Sequence, residues 1–346
     1  MAASCVHLHP NRLHNSAFLF FKDLFFYQII IVPDNGLEHI VFTASELGVF
    51  DLLLESGEPL SSGAIAERLG TSPSGTERLL EACAGLKLLR MERKDSEGLY
   101  RNTNLASLYL AKSSPKSQYY YMKLLSEYGY ASFQYFTDAV REGKKQMESI
   151  HGPSLDDCYQ AFSRSKEEVQ RFFCGMDDAW SLYGQEVLSA FDLSHFPIIY
   201  DLGGGSGALA KQCISLYPNT TVTVLDRPEV VETAKKHLVS SGICQIAFQE
   251  GKSSICFEIL FRKVWVRNEP APLLSESCGG VLIIEPLLDE DRSGPLEAQV
   301  YSAALLLHFD GKGRAFSEHN TLLSAAGFTD VESKKGKFFD AILGRK

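Results

Sequence analysis

The stretch Ile198-Ile199-Tyr200-Asp201-Leu202-Gly203-Gly204-Gly205-Ser206-Gly207-Ala208-Leu209-Ala210 decides how this chain is read. Its apolar opening reads as a buried strand, the glycines as a tight turn, and Ala208 onward as the start of a helix. Further on, Thr221-Val222-Thr223-Val224-Leu225-Asp226 is a second apolar strand that ends in a carboxylate, nineteen residues past Gly207. Glycines let the backbone approach a ligand closely, and a helix N-terminus presents unbonded N–H groups. A carboxylate at the tip of the next strand can accept hydrogen bonds from ribose hydroxyls. The pattern implies an α/β half that binds a nucleoside-containing cofactor.

Two cofactors fit the glycines. Gly203, Gly205 and Ala208 match G-x-G-x-x-A, a dinucleotide fingerprint. Gly203, Gly205 and Gly207 match G-x-G-x-G, with Asp201 two residues before the first glycine. That spacing resembles the first motif of class I methyltransferases, which use S-adenosylmethionine (SAM). SAM has no pyrophosphate, so such a loop packs against its methionine and ribose parts instead. A purely structural glycine turn has the same local text, but the placement of Asp226 argues against it.

At 346 residues the chain has room for two domains or one large one. Its 45% hydrophobic content is ordinary for a globular protein. A net charge of −9 argues against nucleic acid or an anionic membrane as the main partner. The eight cysteines are scattered, with no C-x-x-C and no Cys/His cluster at zinc spacing. They read as thiols of a reducing compartment, so a cytoplasmic location is expected. No His/Asp/Glu cluster calls for a metal either. Residues 16–33 are apolar and rich in phenylalanine, but Lys22 and Asp23 interrupt them. They fall short of the roughly 20 apolar residues of a membrane span, and no signal-peptide cleavage region follows. Residues 1–34 therefore stand apart as an atypical segment, and no membrane association is expected.

Residues 35–115 read as helices followed by a hairpin. A helix over 64–69, a break at Gly70-Thr71-Ser72-Pro73, a helix over 75–89 and two strands about Asp95-Ser96-Glu97-Gly98 make a winged helix. Its second helix carries Glu77, Arg78 and Glu81, a net negative face. DNA binding needs clustered Lys and Arg, so a scaffold or dimerisation role fits better. Residues 116–195 read as connecting helices whose aromatics, among them Tyr119, Phe172, Phe173 and Trp180, suit core or dimer packing. From 196 to 346 strands and helices alternate as in a parallel sheet. Strands are expected over 198–202, 222–226, 243–248, 281–285, 330–333 and 338–343, and helices over 208–216, 228–238, 294–307 and 317–326.

This arrangement resembles the SAM-dependent small-molecule O-methyltransferases. The resemblance is carried by Glu46-Leu47-Gly48-Val49-Phe50-Asp51, Asp138-Ala139-Val140-Arg141-Glu142-Gly143, the glycine stretch, Arg227-Pro228-Glu229-Val230-Val231, Leu287-Leu288-Asp289-Glu290-Asp291-Arg292 and Leu322-Leu323-Ser324-Ala325-Ala326-Gly327-Phe328. It covers about 46–250 and 279–346. It implies a class I methyltransferase (Rossmann-like) sheet behind a helical winged-helix dimerisation domain, a homodimer, SAM as cofactor and a hydroxyindole as small-molecule substrate. Gly203, Gly204 and Gly205 would line the amino-acid part and ribose of SAM, and Asp226 would hold the ribose hydroxyls. Trp180 falls where the family has a cofactor-contacting tryptophan; a core aromatic is the other reading. His308 falls at a substrate-side position where the family has glutamine, with a satisfied structural histidine as the other reading. Ala304 replaces a substrate-binding asparagine, and Asp310 a glutamate that supports the base.

Methyl transfer from a sulfonium to a hydroxyl is an in-line displacement. A phenol-like hydroxyl, with a pKa of about 10, needs a base, usually histidine. The family's base lies in a His-Asp-Trp segment, and an Asp-Phe-Phe stretch follows the glycine that matches Gly251. Here Lys252-Ser253-Ser254 follows Gly251, and no histidine stands between His237 and His308. The text over 252–278 is also shorter than the family's, which holds a strand and a helix. An abrupt change bounded by intact motifs has the form of altered splicing or of a faulty gene assignment rather than gradual drift, and no catalytic residue is assigned. The leading reading is an O-methyltransferase acting on an indole hydroxyl. The alternative is a catalytically inactive form that serves only as a dimer partner. An NAD oxidoreductase and a DNA binder rank below both. A sheet short of one strand would expose apolar surface and open edges, so reduced stability is expected.

Overall fold

The computed structural model describes residues 37–94, 97–130, 132–152, 165–239, 246–251, 263–267, 279–309 and 311–346. The atypical first 34 residues, Asp310, and 252–262 and 268–278 of the altered text lie outside them. The chain divides into two compact units at residue 130.

The first unit contains α1 (Leu37–Glu46), α2 (Val49–Ser56), β1 (Leu60–Ser61), α3 (Ser62–Leu69), α4 (Pro73–Gly85), β2 (Leu89–Lys94), β3 (Glu97–Asn102), α5 (Asn104–Tyr109) and α6 (Tyr119–Leu124). Helix α3 starts where Ser61 Oγ accepts the Ala64 N–H at 3.3 Å, and stops at Gly70 in the left-handed region. Proline opens α4, where its missing N–H costs nothing. This helix ends at Gly85, before the sequence pattern expects, because Lys87 turns to φ 62° and Leu89 enters the hairpin. β2 and β3 pair antiparallel from Leu89↔Asn102 to Lys94↔Glu97, and β1 adds a third strand through Leu60↔Tyr100. The winged helix is thus present, with one more short strand than expected; two residues carry no periodicity to reveal it. Phe50, Ile65, Leu80 and Leu88 are fully buried at its centre. Asn102 Nδ2 donates to Phe50 O at 2.8 Å, and Thr103 Oγ1 donates to Leu88 O at 2.9 Å, tying the wing to the helices.

The second unit opens with α7 (Phe136–Glu142), α8 (Met147–His151) and the long α9 (Lys166–Leu188). Then come β4 (Ile198–Leu202), α10 (Ala208–Leu216), β5 (Thr221–Asp226), α11 (Pro228–Val239), β6 (Ile246–Glu250), β7 (Lys263–Arg267), β8 (Gly279–Glu285), α12 (Leu296–Phe309), α13 (Phe316–Ala325), β9 (Asp330–Lys334) and β10 (Asp340–Arg345). They build a sheet in the order β6-β5-β4-β7-β8-β10-β9. β4, β5 and β6 run parallel, and β8 points the same way through two antiparallel steps across β7. The carboxyl ends of β4, β5, β6 and β8 therefore share one rim, where open α/β sheets bind ligands. β8 is buried along nearly its whole length, as a strand covered on both faces should be. One core cluster packs Val281, Ile283 and Ile342 of the sheet against Leu323 and Phe328; another joins Val169 and Phe173 of α9 to Val230 and Ala234 of α11.

Two expectations change. β10 starts at Asp340 rather than at 338, because Phe338 and Phe339 pack on each other and on Tyr183 instead of entering the pleat. The expectation of a sheet short of one strand is corrected: Lys263–Arg267 fills the slot between β4 and β8, antiparallel to both. Its register runs from Leu202↔Lys263 to Ile198↔Arg267. Among the described residues no helix is long and apolar enough to cross a membrane. Proline at Val264 removes an N–H from a strand paired on both sides, which costs about 1–3 kcal/mol for the orphaned acceptor. Val264→Pro should therefore lower the thermal midpoint followed by circular dichroism. An unchanged midpoint would show that this strand does not hold the sheet together.

Candidate functional site

The turn after β4 is shaped by glycine. Gly203, Gly205 and Gly207 have φ of 68°, 55° and 78°, a region that L side chains rarely adopt. Gly204 is held for a different reason. A Cβ there would lie 2.7 Å from Asp201 Oδ2 and 2.8 Å from Val224 Cγ1. A Cβ on Gly205 would meet nothing within 4 Å. The turn thus presses against the sheet at 204 and opens to space at 205. Gly207 then caps α10.

Asp226 closes β5 beside this turn and is 6% exposed. Its Oδ2 accepts the Gly205 N–H at 2.9 Å, and its Oδ1 accepts the Arg227 N–H at 2.8 Å. Backbone bonds reinforce the junction: Gly203 N–H donates to Leu225 O and Gly251 N–H to Asp226 O, both at 2.8 Å. Gly251 is itself confined, since a Cβ there would sit 2.7 Å from Leu225 Cδ2. The structure brings Gly203, Gly204, Gly205 and Asp226 together at the carboxyl rim, as the motif spacing anticipates.

A second carboxylate reaches the turn from α9. Asp177 Oδ1 accepts from Ser206 Oγ at 2.6 Å, and its Oδ2 contacts Lys211 Nζ and His237 Nε2, each at 3.1 Å. Gln170 Nε2 lies 2.6 Å from His237 Nδ1. An amide nitrogen only donates, so Nδ1 accepts and the ring proton sits on Nε2, facing Asp177. Burial by itself would raise the Asp177 pKa. The bond from His237, the Lys211 ammonium and the Ser206 hydroxyl outweigh it and hold the carboxyl below its ordinary range.

Trp180 lies on α9, 8% exposed, with its ring stacked on Phe339 at 5.5 Å between centroids. His308 lies on α12. Its Nδ1 donates to Ala304 O and its Nε2 accepts from Ser132 Oγ, both at 2.9 Å. Burial holds its pKa below the ordinary histidine value, against the pull of the Ala304 bond. The ring is therefore neutral at pH 7. At the carboxyl end of β8, Glu285 Oε1 meets His319 Nε2, and both side chains are buried. Among the described residues no group of three or more His, Cys, Asp or Glu could hold a metal.

Sequence reasoning missed Asp177, Ser206, Lys211 and His237 as one cluster. The available signal was helical spacing: Gln170, Phe173, Cys174 and Asp177 stand at i, i+3, i+4 and i+7, on one face of α9. Nothing in the sequence announced that Lys211 and His237, from two other helices, converge on that face. The Glu285–His319 contact was equally hidden, because it joins a strand end to a helix 34 residues on.

Comparison with known proteins accounts for this architecture. Residues 133–256 and 272–329 match the O-methyltransferase domain, and residues 37–112 match the O-methyltransferase dimerisation domain. Acetylserotonin O-methyltransferase of Gallus gallus is 50% identical over 342 residues, covering 94% of this chain and 99% of the relative. The Homo sapiens enzyme of that name is 43% identical over 337 residues, covering 92% and 98%. The crystal structure of human N-acetylserotonin methyltransferase in complex with SAM superposes with a TM-score of 0.79 at 38% identity, over 99% of each chain. Domain matches on both units, together with identity of this extent along nearly the whole length, establish that the chain belongs to the O-methyltransferase family.

Proposed function

We propose that this chain is a SAM-dependent O-methyltransferase that methylates the hydroxyl of an indole, with N-acetylserotonin as the expected acceptor, and that it works as a homodimer. The observation that carries the reading is the 50% identity to an acetylserotonin O-methyltransferase across 94% of the chain. The rim geometry supports it. Gly205 opens to space beside Asp226, a cradle that a nucleoside can enter. Bonds from two backbone N–H groups aim the Asp226 carboxylate, the group that would hold the ribose diol. Gly203, Gly204 and Gly205 would hold the amino-acid part and ribose, Trp180 would bound the cofactor, and His308 would stand on the substrate side. When bound, SAM supplies a methyl group on a sulfonium centre.

The open chemical question is the proton on the acceptor hydroxyl. No histidine stands between His237 and His308, and the match to the O-methyltransferase domain breaks over 257–271. His308 is neutral and so able to take a proton, but both its ring nitrogens are already bonded. Calorimetric titration of the purified chain with SAM, followed by a methyl-transfer assay with N-acetylserotonin, tests the reading. Binding with transfer is the expected result. Binding without transfer would leave a cofactor-binding chain that acts only as a dimer partner, and no binding would reduce the resemblance to ancestry.

Gly204→Ala forces a Cβ against Asp201 and Val224, which must displace the turn. It should weaken SAM binding at least about tenfold, or roughly 1.4 kcal/mol; unchanged affinity would place the cofactor elsewhere. The dimerisation domain at 37–112 motivates the homodimer. Sedimentation equilibrium should return the mass of two chains, and a single-chain mass at micromolar concentration would contradict it.

A further inference from the structure

Ser206 is the one residue from Gly203 to Gly207 that carries a side chain. The four glycines around it give the turn more backbone freedom than any other residue type would. The bonds at Gly203 and Gly205 fix the side of the turn that faces β5. On the other side, the Ser206 hydroxyl is fully buried and donates to Asp177 at 2.6 Å. Asp177 is in turn held by Lys211 of α10 and by His237 of α11, whose ring is oriented by Gln170 of α9. The carboxylate that receives Ser206 is thus located by three helices. Hydrogen bonds to an ionised acceptor are about twice as strong as neutral ones.

We propose that Asp177 is a positioning residue for the cofactor loop: through Ser206 it holds the 203–207 turn in its binding conformation before SAM arrives. A ligand then meets a turn whose ordering cost is already met, and binds more tightly for that reason. The proposal rests on the cofactor reading above but adds a residue outside the glycine motif, on a different helix.

The test uses the full chain and three readouts: SAM affinity by calorimetry, thermal midpoint, and amide hydrogen exchange across 203–207 without ligand. Asp177→Leu removes the acceptor, and Ser206→Ala removes the donor. Each should weaken SAM binding about tenfold, the equivalent of roughly 1.4 kcal/mol, and speed exchange in the turn. The double variant should be no worse than either single one, because both remove the same bond. Asp177→Asn keeps an acceptor oxygen and should recover part of both losses. His237→Gln loosens the support of Asp177 but keeps its bond to Ser206, and should weaken SAM binding less than Asp177→Leu does. A merely structural network would lower the midpoint in every variant and leave exchange in the turn unchanged; that result overturns the proposal. If Asp177→Leu does not fold, Ser206→Ala alone carries the comparison. If the unaltered chain binds no SAM, the cofactor reading falls. Exchange at 203–207 then decides the positioning role, faster in Ser206→Ala supporting it and unchanged refuting it.

Discussion

The carboxylate of Asp226 is the constraint on which the second unit's rim depends. It takes one N–H from the glycine turn that leaves β4 and one from the start of the segment that leaves β5. Hydrogen bonds to a charged acceptor contribute about 1.5–3 kcal/mol each, enough to fix a turn whose glycines have little stiffness of their own. Once Gly205 is tied there, α10 can begin at Ala208, the parallel pairing of β4 with β5 is closed at its carboxyl end, and Gly251 can seal the exit of β6 on Asp226 O. Each of these contacts places a backbone group at the same rim, where open α/β sheets bind ligands.

A strand slot and a catalytic position make different demands. The slot between β4 and β8 needs backbone donors and acceptors at the right spacing, and almost any extended segment supplies them. Lys263–Arg267 does so in the reverse direction. A general base needs one kind of atom at one place, and no segment substitutes for it by pairing alone. The sheet is therefore continuous through Lys263–Arg267, although no histidine stands between His237 and His308.

Burial has a different consequence at each polar site. Asp177 stays ionised because three donors compensate its desolvation. His308 is held neutral because its partners, a backbone carbonyl and a hydroxyl, supply hydrogen bonds but no negative charge. Trp180 has its face against Phe339, so it belongs to an aromatic cluster with Tyr183 and Phe338.

The sequence by itself determined the winged helix, the strand–turn–helix at 198–210, and the pairing of the glycine turn with Asp226. These features are local, or repeat at short spacing, and glycine, proline and capping residues mark their ends. It also determined that no histidine occupies 238–307, which is a matter of composition alone. Only the tertiary structure decided that an unmarked stretch at Lys263–Arg267 fills the sheet. Five residues have too little periodicity to read. Only the fold, likewise, brought Asp177, Ser206, Lys211 and His237 together, because they come from three helices and a turn spread over sixty residues. Sequence spacing describes neighbours along one element; contacts between elements are set by how their buried faces pack.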